Sequence, residues 1–539
     1  GVAAGAVTPT GPDGRIIARD IQKAVDEGRF ATPIAKAAYD GTAAGTGLGG
    51  RVTLADLSAP QKAPAEPPAA PAAPVAPVAP AAESWTEPLS NMRKVIARAM
   101  LQSVSSMAQL TNTASFDATQ IQSARKLFKE QGAKFGMEKV TLNDMVTEIF
   151  VNADGGYGTN LIITDAVTGD GGITKTGTGI VAFLGDNSYT GTTTVSAGNL
   201  QYGATDQNTG SPGSGDFVLN GGNLRFVTDQ AFTLGEVSGT TGTINYGLAS
   251  GILLPNLAVT VGSNSYDVVT NVYKGAVILA ADTGLGSTVG ATTIYGGDAH
   301  NGRVVLTNDI TVGETFSLTA RYDPYLYAPH IVNESGSNTL AGNLTLVTGG
   351  THATLQSDAG LLTVTGNITG TIGGKYLNLQ GEGDAVVTGS ILRHSDPANL
   401  LHVHKLGTGT WTLAGAANTY NGNTVVGGGT LALGADAVIS DSPLIDVKTD
   451  ATFDVSAVTG GFTLAGTQTL MGNGTVVGNV ALAGTLGVQF DSDADTIDLL
   501  TIVGELDLTG ATFSFSDLGS GTLAGGDYVF ATYDILTGN

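Results

Sequence analysis

One phrase is written twice in this chain, and it restricts the fold more than any other feature. Lys175-Thr176-Gly177-Thr178-Gly179, Gly185, Asn187-Ser188-Tyr189-Thr190-Gly191, Thr193, Val195, Gly198 and Leu200 recur as Lys405-Leu406-Gly407-Thr408-Gly409, Gly415, Asn418-Thr419-Tyr420-Asn421-Gly422, Thr424, Val426, Gly429 and Leu431. One inserted residue keeps the second copy in register with the first. Apolar residues alternating with small polar ones spell strands, and Gly and Asn supply the backbone freedom of tight corners. Each copy therefore reads as a strand, a corner at Asn-x-Tyr-x-Gly, and a second strand ending at a further Gly corner. That is about one coil of a solenoid, the architecture that repeats of 20 to 50 residues specify.

The same alternation runs from Asn152 onward, at Leu224 and Phe226, at Leu482, Leu486 and Val488, at Val503, Leu506 and Leu508, and at Phe513 and Phe515. No helical stripe longer than three turns interrupts it. Many short strands without helices leave a sandwich, barrel, propeller or solenoid, and the repeat selects the last. The expected fold class is mainly β, a right-handed parallel β-helix, preceded by a small α-helical segment and a Pro/Ala linker.

Composition divides the chain near residue 151. Residues 1–151 carry 15 basic and 14 acidic side chains against 9 and 33 in the remainder, net charges of +1 and -24 that sum to the -23 of the whole. Sixty-six of the 78 Gly follow that seam, as do all six His. A strongly acidic surface repels phosphate backbones, so nucleic acid is not an expected partner. With no Cys, disulfides, thiolate nucleophiles and zinc-thiolate sites are excluded. No apolar run is long enough to cross a membrane as a helix, and Gly1-Val2-Ala3-Ala4 does not read as a signal peptide.

The doubled phrase closely resembles the autotransporter-associated β-strand repeat of secreted passenger segments, as do the runs around Phe453, Val476 and Leu506. The resemblance implies a right-handed parallel β-helix that projects from cells, adheres to surfaces or carries a separate enzyme.

The front has a different likeness. Gly11-Pro12-Asp13-Gly14-Arg15-Ile16-Ile17, and again Gly45-Thr46-Gly47-Leu48-Gly49-Gly50-Arg51-Val52 with Ala31 to Lys36 before it, resemble the peripheral-subunit-binding domain of dihydrolipoamide acyltransferases of 2-oxo acid dehydrogenase complexes. These would occupy 1–28 and 29–58. Residues 59–84 follow as a Pro/Ala tether, whose composition favours extended chain over a packed core. Over 85–151, Ser90 is suited to cap a helix through Met92, Val95, Ile96, Ala99 and Met100, Asp117 a second, and Thr141 a third through Leu142, Met145, Val146 and Ile149. Pro88 to Ala97, Asp117, Arg125 and Leu142-Asn143-Asp144 look like the opening of the acyltransferase catalytic domain. That family uses a His-x-x-x-Asp-Gly motif whose His deprotonates a thiol, and none of the six His here is followed by that spacing. No lipoyl domain is read in these residues either. The resemblance therefore implies docking of dihydrolipoamide dehydrogenase or a decarboxylase through Arg15, Lys36 and Arg51, without catalysis, and a cytoplasmic origin for this segment.

Candidate chemistry in the solenoid is sparse. Asp491, Asp493, Asp495 and Asp498 could offer oxygens to Ca²⁺, but Thr496 and Ile502 replace the Gly and bidentate Glu that an EF-hand needs. His402 and His404 point the same way on a strand and lack an evident third ligand for a metal. Tyr322, Tyr325 and Tyr327 with Asp323 form an aromatic cluster, read as a loop packed against the solenoid or as a stacking surface for sugar rings. No phosphate loop or nucleophile elbow occurs. The expected function is that of a non-enzymatic, secreted or surface-displayed passenger without cofactors, contacting surface glycans or other cells. The alternatives are an acyltransferase docking component and a carbohydrate-active β-helix.

Overall fold

The computed structural model describes Asp20, Lys23 and residues 148–152, 159–204, 209–249, 254–297, 300–322, 327–371 and 373–538. The chain divides into units of Gly1–Gln109 and Leu110–Asn539. In the first, Asp20 and Lys23 are helical. The remaining helices expected at the front, the Pro/Ala tether, and Arg15, Lys36 and Arg51 lie outside the described residues.

The second unit is a parallel β-solenoid. Its strands form three main sheets of 15, 14 and 12 members, and between Thr311 and Leu392 each coil contributes a strand to all three. The middle shows the path plainly. Leu344–Val347, His352–Ser357 and Leu361–Val364 lie on the three sheets in turn, and Ile368–Gly370, Lys375–Gln380 and Asp384–Val387 repeat the circuit one rung higher. Pairing is parallel and in register, with Leu344 opposite Ile368, Ala353 opposite Leu377 and Leu362 opposite Ala385. Strands inside the stack hydrogen-bond to the coils above and below, so short strands suffice, and stacking replaces the long crossover helices that parallel sheets otherwise need.

Period-two alternation sends every second side chain into one continuous core. Leu224, Phe226, Val403, Trp411, Leu431 and Phe453 have no exposed surface. Such a side chain stabilises by roughly 1.5–3 kcal/mol relative to an exposed one. Like residues stack on successive rungs: Phe183, Tyr202, Phe226 and Tyr246 form a row with ring centroids 5.7, 5.9 and 5.3 Å apart.

Two sequence expectations change. Ile149, placed on a helical stripe, lies instead in the strand Glu148–Asn152, opposite Ile173. The Ile-Phe-Val run suits a pleated surface, and pairing with Gly172–Thr176 overrides a helical period only three turns long. Phe513 and Phe515 alternate as expected but are exposed, because Thr512–Asp517 is an outer rung paired on one side with Thr485–Asp491.

Candidate functional site

The doubled phrase builds a corner held by one buried cation. Lys175 and Lys405 are fully buried at the ends of their strands. Lys405 Nζ donates to the carbonyls of Leu406, Gly407 and Gly428 at 2.8, 3.0 and 2.9 Å. Lys175 Nζ donates to Thr176, Gly177 and Ala197 at 2.6, 2.7 and 3.1 Å. In each case two acceptors belong to the lysine's own corner and the third to the next coil. Burial pushes the Lys405 ammonium down to about 8, while three carbonyls that use all three of its hydrogens favour the protonated form.

The Asn and Tyr of the phrase serve the opposite corner. Asn187 Oδ1 accepts from Val167 N–H at 2.8 Å while its Nδ2 donates to Gly185 and Ser211 carbonyls. Asn418 Oδ1 accepts from Ile391 N–H at 2.9 Å, and its Nδ2 donates to Gly415. The buried hydroxyls of Tyr189 and Tyr420 meet Thr193 and Thr424 Oγ1, each at 2.8 Å. Gly191 and Gly422 lie where an added Cβ would come within 2.4 and 2.5 Å of backbone on the preceding coil. Gly177 and Gly407 adopt positive φ of 73° and 71°, and Gly179 and Gly409 complete those turns.

A third copy escaped the sequence reading. Asn264 Oδ1 accepts from Val237 N–H at 2.7 Å, its Nδ2 reaches Gly284 O at 2.6 Å, and Tyr266 OH meets Thr270 Oγ1 at 3.1 Å. The shared skeleton is Asn-x-Tyr-x-x-x-Thr-x-Val-x-x-Gly, ending at Gly198, Gly275 and Gly429 with φ of 64°, 72° and 58°. The signal was in the spacing alone, because this copy lacks the Lys-x-Gly-x-Gly opening.

The outer face of the 14-stranded sheet carries a second cluster. Register places His352, Tyr376 and His402 on consecutive rungs. Tyr376 lies stacked between the two imidazoles at centroid distances of 4.6 and 4.5 Å, with His404 at 4.8 Å from the same ring. Beside them, Arg321 is fully buried and donates to the carbonyls of Gly302, Ala328 and Pro329, pinning the segment that precedes His330. Burial lowers this guanidinium to about 10. Tyr322 and Tyr327 are exposed, and the Tyr327 ring meets His352 edge-on at 5.6 Å. Tyr325 and Asp323 lie outside the described residues.

The imidazoles here accept hydrogen bonds. His330 Nδ1 receives Thr354 N–H at 3.2 Å while its Nε2 lies 3.0 Å from Thr319 O, which fixes the neutral Nε2–H tautomer. His402 Nδ1 receives Asn423 N–H at 2.9 Å. Burial lowers the pKa of His330 well below the usual value, and burial with its two neighbouring imidazoles takes His404 to about 4. His402 and His404 do share a face, but with Tyr376 interposed between His352 and His402 no cluster of three side chains among the described residues has metal-holding geometry.

The acidic residues near the C-terminal end bond to backbone. Asp491 Oδ1 accepts from the N–H groups of Asp493 and Ala494, Asp493 Oδ2 from Ser520, and Asp495 Oδ1 from Ala524. They tie the 491–498 hairpin to the following segment, and Asp498 N–H closes it on Gln489 O.

Comparison with known proteins separates the two parts of the chain. Residues 81–157 match the family model of the 2-oxoacid dehydrogenase acyltransferase catalytic domain. Residues 173–201 and 403–433, the two copies of the doubled phrase, match the passenger-associated transport repeat. Among curated proteins, the adhesin BmaC autotransporter of Brucella suis biovar 1 (strain 1330) is 30% identical over 284 residues, covering 49% of this chain and 7% of that protein. The chain thus spans a small fraction of that relative's length. No solved structure matches. By repeat, fold and relative, the solenoid is similar to autotransporter passengers, with a partial acyltransferase match at its front.

Proposed function

We propose that this chain contributes a surface-displayed, adhesin-like passenger whose β-solenoid is a scaffold for contact with other cells or surface glycans. The observation that carries this reading is the corner shared by Lys175 and Lys405. It coincides with the two matches to the passenger repeat, and it spends its polar groups on holding coils together rather than on a reaction site. The similarity to an adhesin supports the direction of the reading. The acyltransferase match covers residues 81–157, and this sequence does not carry the His-x-x-x-Asp-Gly that supplies that family's general base.

Display tests it. The chain fused ahead of an outer-membrane translocating barrel should become accessible to antibody and to added protease on intact cells, and should raise adherence to host cells or glycan-coated wells. Adherence no greater than that given by the barrel alone, with the solenoid verified at the surface, would contradict the adhesive role. Failure to reach the surface at all would contradict the passenger reading.

A further inference from the structure

Five of the six histidines fall between residues 330 and 404. Their imidazoles serve as backbone acceptors or stack within one aromatic cluster. His330, His402 and His394 each take a backbone N–H at Nδ1, from Thr354, Asn423 and Asp396 respectively. The first two of these bonds link neighbouring coils. A proton placed on Nδ1 turns the acceptor into a donor facing another donor, and the bond is lost. His352 and His404 lie against Tyr376 with ring centroids 6.3 Å from each other, so charging both puts like charges together in a half-buried setting.

We propose that the coils from Arg321 to Val426 form an acid-sensitive segment of the solenoid, in which protonation of His330, His352, His402 and His404 opens the outer face of the 14-stranded sheet while the coils on either side stay closed.

The surroundings offer little to stabilise the new charges. The titratable groups acting on these imidazoles among the described residues are other imidazoles and cations: His402 on His352, His352 and His402 on His404, and Arg321 on His330, with Arg303 acting on Arg321 in turn, and the Thr319 carbonyl on His330 is the contact that opposes them. On the rung between, Lys375 turns to Gly350 O and Tyr376 is the stacked ring. On the strand of His402, Lys405 is held in its carbonyl cradle, with Asp384 acting on it from the corner. The next rung, Thr424–Val426, has no titratable side chain, and on the preceding one Asp358 accepts from Gln356 at the far end of the strand.

The sign follows from linkage. An imidazole whose pKa is lowered in the folded state contributes stability that is complete above its ordinary 6.5 and is lost as pH falls toward the folded value. For His404, held at about 4 and returning to 6.5 on opening, the opening equilibrium at pH 5.0 rises about 27-fold over pH 7.5.

Hydrogen exchange of the full chain at pH 7.5 and 5.0, corrected for the intrinsic pH dependence of exchange, tests the proposal. Peptides spanning 316–333, 352–357 and 401–426 should lose protection tenfold or more, while Phe217–Val227 and Thr469–Gly472 change less than threefold. Equal loss along the whole solenoid, or none in the histidine segment, would overturn it. His402→Gln with His404→Gln removes two titrating groups, and should cut the acid response at least fivefold. Should that variant not fold, imidazole NMR of the unmodified chain decides. His330 and His404 titrating near 6.5 in the folded state would contradict the mechanism, and midpoints below 5 would support it.

Discussion

Replacing Lys405 by Met keeps the length of the side chain and removes its three donors. The carbonyls of Leu406, Gly407 and Gly428 then lose their ammonium partner inside the coil. A buried acceptor left unsatisfied costs about 1–3 kcal/mol, so three cost about 6 at mid-range. Against this, Met ends the desolvation of a charge held near 8 instead of 10.5, which at 1.36 kcal/mol per pH unit returns about 3. The expected net loss at pH 7 is about 3 kcal/mol. Trp411 is fully buried and follows the corner by six residues, so its fluorescence in urea, in a Trp85→Phe background, reports the local transition. Lys175→Met should destabilise its own coil to a similar degree. Arg393→Met is the control, because that side chain is exposed and a surface substitution of this kind should stay within about 0.5 kcal/mol. A loss at Lys405 below about 1 kcal/mol, or equal to the control, would refute the claim that the buried ammonium secures the corner.

Other perturbations separate the core from the outer rungs. Phe226→Ala should cost about 3–5 kcal/mol by urea unfolding, whereas Phe515→Ser, on an exposed face, should stay within about 0.5. Gly429→Ala should destabilise strongly, because its φ is 58° and a Cβ there would approach Gly407 O at 2.6 Å. Glu314 is almost fully buried, bonded by Thr292 Oγ1 at one oxygen and without a partner at the other, and burial raises it to about 7. Its contribution is present below the ordinary 4.5 and lost as pH rises through 7, about 3 kcal/mol in all. Glu314→Gln should therefore remove a fall in stability between pH 5 and 7.5, seen as a shift in the urea midpoint.

The repeat made the solenoid legible because inward and corner positions obey local rules. Period two reports which side chains are buried, and Gly-x-Gly or Asn-x-Tyr reports a corner whatever lies above it. The copy at Asn264 was hidden because its lysine opening is absent, leaving five spaced residues that acquire meaning only when the corner geometry is known. Contacts between coils were not legible. His352, Tyr376 and His402 stack although they are 24 and 26 residues apart, and those offsets differ from the 21 residues between Val403 and its partner Thr424. Coil length varies, so sequence spacing does not fix which outward residues meet. Arg321 carries no sequence signal of its burial either, yet carbonyl groups from three residues enclose it completely.

The account rests on parallel coils stacked in a defined register, and paired cysteines measure that directly in a chain with none of its own. Val386 and Thr412 are register partners on adjacent coils, both partly exposed. Neighbouring strands lie about 4.8 Å apart, within the range a disulfide spans. Val386→Cys with Thr412→Cys should oxidise to an intrachain disulfide in the folded chain, whereas Val386→Cys with Thr410→Cys, two residues out of register, should not. Equal oxidation of both pairs, or preference for the second, would contradict the solenoid as described.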